Sequence, residues 1–127
     1  MLRKKLGIEC IEMNWEGKYI SSYFKVPTSL IIPDGCNWIG IETFWGCKRL
    51  EKVVIPESVN VIGRAAFWCC KSLKEVVIPK SVEYIGQRAF DGCPRAIIIL
   101  KKPMSEFKSI GCNAFWNLLY VKEETRN

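Results

Sequence analysis

Shifting the chain by 23 residues lays it on itself. Proline falls at 33, 56 and 79, the pair Ile-Gly at 39–40, 62–63 and 85–86, phenylalanine at 44, 67 and 90, and cysteine at 47, 70 and 93. Four columns on one period leave few architectures. A unit this short cannot bury its own apolar side chains, and ordering its backbone costs more than those side chains return in isolation. Stability must come from stacking one repeat on the next, with the ends protected by caps.

Each repeat reads the same way. Leu50, Val53 and Ile55 surround a short extended run that Pro56, lacking an N–H, brings to an end. Ile62-Gly63 marks a turn, and Arg64 to Cys70 is expected as one helical or 3-10 turn with Ala66, Phe67 and Cys70 inward, before the coil closes at Leu73. A fourth copy, Ile110-Gly111 and Ala114-Phe115, is displaced by 25, so two residues are inserted between Leu100 and Phe107. Upstream, Ile8 to Trp15 and Tyr19 to Tyr23 flank Glu16-Gly17-Lys18 and read as a β-hairpin cap. The expected layout is a single domain over 1–127: an N-terminal cap over 1–29, about four repeats over 30–117, and a C-terminal cap and tail over 118–127, with Leu118 to Val121 closing the end.

Composition narrows the chemistry. With 49% hydrophobic residues in 127, the chain can build a core without metal or disulfide staples. Histidine is absent, which removes the commonest general base and metal ligand. Seven cysteines with no C-x-x-C pair argue for mostly reduced, buried thiols; the 47, 70, 93 column suits the narrow inner corner of a coil, and Cys69 is expected to point outward. Cys10, Cys36 and Cys112 lie outside that column. Glu51, Glu57, Glu75, Glu83 and Asp91 scatter over positions expected to face water, and no nucleotide-binding loop or nucleophile elbow occurs. These features exclude an enzyme, a cofactor and a metal. No apolar run approaches the ~20 residues of a membrane span. Charge arrives at Arg3, Lys4 and Lys5 before any apolar stretch, so no export segment is read and a cytoplasmic setting is expected; a trimmed chain would instead belong at the cell surface or outside the cell.

The run Leu73-Lys74-Glu75-Val76-Val77-Ile78-Pro79-Lys80-Ser81-Val82-Glu83-Tyr84-Ile85-Gly86-Gln87-Arg88-Ala89-Phe90-Asp91-Gly92-Cys93 resembles the BspA-like class of leucine-rich repeat, over roughly Leu30 to Asn117. The resemblance implies an α/β fold: a right-handed leucine-rich-repeat solenoid with short parallel β-strands on a concave face and short helical or 3-10 turns on the other side. It also implies protein-interaction roles, among them cell-surface adhesion and host-matrix binding.

Stacking turns each outward position into a stripe. Strand alternation puts Ile31, Val54 and Val77 on the open face, beside a mixed polar column of Ser29, Lys52 and Glu75. This is a recognition surface, or valine and isoleucine sit there for β-propensity alone. A second column holds Trp45, Trp68, Asp91 and Trp116: the indoles anchor a protein or stack on sugar rings, or they fold back and seal the core. Trp38, Val61 and Tyr84 form a third, extending the same aromatic edge. Lys48, Arg49, Lys71 and Arg95, followed by Lys101 and Lys102, form a basic ridge that solubilises the chain or meets an acidic protein. With 19 Lys+Arg against 13 Asp+Glu the net charge is +6, yet no recognition helix or stacking platform accompanies it, so nucleic acid is not expected. The resulting expectation is a non-enzymatic protein-protein interaction module binding a partner through Ile31, Lys52, Val54, Glu75 and Val77, with Trp45, Trp68 and Trp116 beside them. Adhesion or carbohydrate binding through the tryptophans, and self-assembly into a homo-oligomer, are the alternatives.

Overall fold

Short apolar runs that alternate inward and outward become strands, and the repeat stacks them in parallel. A computed structural model describes residues 28–125, and the hairpin expected over Ile8 to Trp15 and Tyr19 to Tyr23 lies outside them. Five strands, β1 (Ser29–Ile31), β3 (Lys52–Val54), β5 (Glu75–Ile78), β7 (Ile97–Leu100) and β9 (Tyr120–Glu123), form one sheet in that order. Alternating with them, β2 (Trp38–Ile39), β4 (Val61–Ile62), β6 (Tyr84–Ile85) and β8 (Ser109–Ile110) form a second. Every pairing is parallel, giving a β-solenoid of about four coils. Tyr120 and Val121, the end of the segment expected to close the solenoid, are the first residues of β9.

The register locates the irregular coil. Ser29 pairs with Lys52 and Lys52 with Glu75, steps of 23, but Glu75 pairs with Ile97, a step of 22; Ile97 to Tyr120 is 23 again. In the second sheet Tyr84 pairs with Ser109, a step of 25. The net insertion of two is therefore one residue lost before β7 and three gained between β7 and β8, where a 3-10 turn forms over Met104–Glu106.

The expected helical turn over Arg64 to Cys70 is not helical. Residues 64–69 form hydrogen-bonded turns, in which Ala66, Trp68 and Cys70 donate to the carbonyls of Gly63, Ala65 and Phe67 in their own coil. Ala65, Phe67 and Cys69 instead donate to Gln87, Ala89 and Asp91 of the next coil at 2.8–2.9 Å. Left-handed backbone at Ala65 (φ 55°) and Cys69 (φ 62°) points those N–H groups along the solenoid, which a helix would direct at its own carbonyls. The same conformation recurs at Glu42, Arg88 and Asn113, and at Gly46, Gly92 and Asn117. Continuous inter-coil bonding thus replaces local helix.

The core is a set of ladders. Phe44, Phe67 and Phe90 stack with centroids 5.3 and 5.1 Å apart, and half-buried Phe115 continues at 6.1 Å. The Cys70 and Cys93 thiols donate to the carbonyls of Phe44 and Phe67 in the preceding coil, each at 3.1 Å. The Ser58 and Ser81 hydroxyls do likewise to Cys36 and Val59 at 2.8 and 2.7 Å, so the serine of the repeat is an inter-coil tie. Gly63 and Gly86 have ordinary φ and are required by closeness: a Cβ on Gly63 would stand 2.8 Å from the Ile39 carbonyl oxygen.

Cys47, Cys69, Cys70, Cys93 and Cys112 are free thiols, in keeping with mostly reduced cysteines, whereas Cys36 is disulfide-bonded. Burial pushes the Cys47 thiol up to about 12, and the Cys93 hydrogen bond together with burial raises Cys70. Cys69, expected to point outward, is half-buried, and Cys112 is exposed. At mildly alkaline pH a thiol-specific disulfide reagent is expected to modify Cys112 first and Cys69 more slowly, and to reach Cys47, Cys70 and Cys93 only on unfolding. Peptide mapping by mass spectrometry checks this, and fast native labelling of Cys70 would contradict it.

Candidate functional site

Strand alternation buries Val53, Ile55, Val76 and Ile78 and turns their neighbours outward. On the outer face of the five-stranded sheet, Ile31 is 70% exposed and Val54 and Val77 are each 41% exposed, in one row. Register pairs Ile31 with Val54 and Val77 with Ile99, so the row runs on to Ile99, which is only 8% exposed, and ends at Lys122. Ile99 was hidden from sequence reading, because a constant shift of 23 from Val77 lands on the buried Leu100. The flanking column holds Ser29, Lys52 and Glu75 in register, all exposed, then half-buried Ile97 and exposed Tyr120.

The tryptophan column is interrupted. Trp45 and Trp68 stack with centroids 5.8 Å apart, and the Arg88 guanidinium lies 5.3 Å over the Trp68 ring. Asp91, expected at the surface, is 6% exposed: Arg88 pairs with it at 3.7 Å and the Asn117 amide donates to it at 3.3 Å. A buried carboxylate needs such partners, and it separates the Trp45–Trp68 pair from exposed Trp116. Arg88 and Asn117 carry no periodic signal of their own in the sequence. Trp38, Val61 and Tyr84 lie in register in the second sheet, and Trp45 and Trp68 on the turns that follow its strands.

The basic residues divide into two groups. Lys48, Arg49, Lys71 and Arg95 are exposed at the tips of three stacked turns, closed by Leu50, Leu73 and Ala96 donating to the carbonyls of Cys47, Cys70 and Cys93. Lys101 and Lys102, expected to prolong this ridge, lie instead past the C-terminal end of β7, bordering a depression of about 550 Å³ with Lys80 and Glu106. Their charges are engaged: Lys101 pairs with Glu124 at 2.9 Å, while buried Lys102 is 3.8 Å from Glu83 and 4.7 Å over the Phe107 ring. Among the described residues no group of three His, Cys, Asp or Glu side chains could hold a metal ion, and no helix is long and apolar enough to cross a membrane.

The protein-family model described as BspA type Leucine rich repeat region matches residues 16–123, in 6 copies. No curated protein and no solved structure gives a significant match.

Proposed function

Because the chain belongs to the BspA-type leucine-rich repeat family, whose members are interaction and adhesion-type modules and generally not enzymes, we propose that it binds a protein partner on the outer face of its five-stranded sheet. One observation carries the reading: Ile31, Val54 and Val77 stand exposed in register beside the polar column of Ser29, Lys52 and Glu75. An apolar strip flanked by polar side chains is the composition of a protein-binding patch, and the rigid parallel sheet presents it without reorganisation.

The test is a cross-linked pull-down from the native host, comparing the wild type with a Val54→Lys, Val77→Lys variant whose fold is verified by circular dichroism. Both positions are exposed, so the variant retains the core, and capture of the principal partner is expected to fall roughly tenfold or more. Equal capture by both forms would remove the stripe as the site.

Self-association is a second reading, supported by Trp116, Leu119 and Tyr120, all more than half exposed at the edge where β9 ends the sheet. Sedimentation that gives a monomer mass at every concentration would remove it. Carbohydrate binding through the tryptophans draws less support, since Trp45 and Trp68 stack on each other and Asp91 divides the column.

A further inference from the structure

The ridge of stacked turns carries charge that no described carboxylate pairs with. Lys48, Arg49, Lys71 and Arg95 make no ion pair among the described residues. Of the carboxylates nearest them in sequence, Glu51 pairs with Lys74 at 3.3 Å and buried Asp91 with Arg88, while Glu75 stands exposed in the sheet column with no ion pair among the described residues. The backbone that carries these cations is held in place. Each pair of tip positions, 48–49, 71–72 and 94–95, is clamped between a buried cysteine and a buried Leu50, Leu73 or Ala96, whose N–H closes the turn at 3.0–3.3 Å. Consecutive tips follow the inter-strand spacing, about 4.8 Å per coil, so the four charges line an edge on the order of 10 Å long.

That edge stops at the fourth coil. In the fourth coil only Leu118 and Leu119 separate Asn117 from β9, where Cys93 to Ala96 separate Gly92 from β7 in the third. The shortened connection leaves no further cationic tip, and exposed Leu119 stands at the end. A long polyanion laid along the solenoid would run off the charges onto an apolar residue. Among the described residues the edge is about 10 Å long, which corresponds to three or four residues of extended peptide.

From this geometry we infer that the ridge receives a short acidic segment of a polypeptide, three or four carboxylates long and followed by an apolar side chain against Leu119. The inference rests on the protein-binding reading and adds the chemistry of the partner. Charge complementarity of this kind speeds encounter and fixes register.

The experiment is fluorescence anisotropy with a labelled peptide of four consecutive glutamates followed by leucine, a four-lysine control, and a heparin-derived hexasaccharide as the competing polyanion. The expected result is glutamate-peptide binding that weakens steeply with added salt and falls roughly tenfold in a Lys48→Ser, Arg49→Ser, Lys71→Ser, Arg95→Ser variant. All four side chains are exposed, and an unchanged melting temperature verifies the fold. The Val54→Lys, Val77→Lys variant keeps peptide binding, so loss of the stripe as a site and loss of the ridge as a site are read separately. The inference is overturned if the glutamate peptide does not bind, if the serine variant binds it equally, or if the hexasaccharide binds through the ridge and the peptide does not.

Discussion

Phe67→Ala is expected to destabilise the domain by about 4 kcal/mol, the middle of the range for truncating a buried aromatic. Phe67 is fully buried in the second coil and stacks on both sides, on Phe44 at 5.3 Å and Phe90 at 5.1 Å. Its removal opens a cavity that the flanking coils cannot close, because their backbones are tied across it: Phe44 donates to the Ala66 carbonyl, and Phe67 to that of Ala89, both at 2.8 Å. In a stacked array each coil is stabilised mainly by its neighbours, so a defect in the middle weakens two interfaces together. Phe115→Ala, at the half-buried end of the ladder, has one stacking partner and is expected to cost less than half as much. Urea unfolding of both variants measures the difference; similar losses at the two positions would mean that the ladder is not the principal source of inter-coil stability.

Gly86→Ala is expected to cost about 3 kcal/mol, although one methyl group is added and φ is ordinary. The new Cβ would collide with the backbone of the preceding coil, meeting the Arg64 N and Cα atoms and the Gly63 carbonyl carbon. Neither side can yield, since Gly63 donates to Ile39 and Gly86 to Ile62, each at 2.8 Å. Gly46 offers the contrast: its φ is 70° and nothing lies within 4 Å of an added Cβ, so Gly46→Ala meets only left-handed backbone strain, about 1 kcal/mol. Equal losses at the two glycines would contradict the collision argument.

Much of this arrangement was legible in the columns. Proline, Ile-Gly, phenylalanine and cysteine at fixed spacing gave the period, and strand alternation gave the inward Val53 and Val76 and the outward Val54 and Val77. With Ala66, Phe67 and Cys70 inward, the segment Arg64 to Cys70 reads as one helical or 3-10 turn. Local propensity cannot register that a neighbouring coil offers carbonyls to the same N–H groups, and those carbonyls won. The repeat position of Asp91 reads as facing water, but Asn117, 26 residues on, supplies a hydrogen bond that no repeat column announces.

Periodicity by itself determined that the chain stacks as a solenoid, since a 23-residue unit has no other way to bury its apolar face. It also determined which side of each strand faces water, because side chains alternate with a period of two. Only the tertiary structure decided how the fourth coil is accommodated, by one residue lost before β7 and three gained after it, which carries the open-face row onto Ile99. Only the tertiary structure separated paired from unpaired cations, engaging Lys101 and Lys102 while giving Lys48, Arg49, Lys71 and Arg95 no ion pair among the described residues. The reason is physical: burial pattern is a property of a residue and its near neighbours in sequence, whereas register and charge pairing depend on which residues of other coils stand opposite.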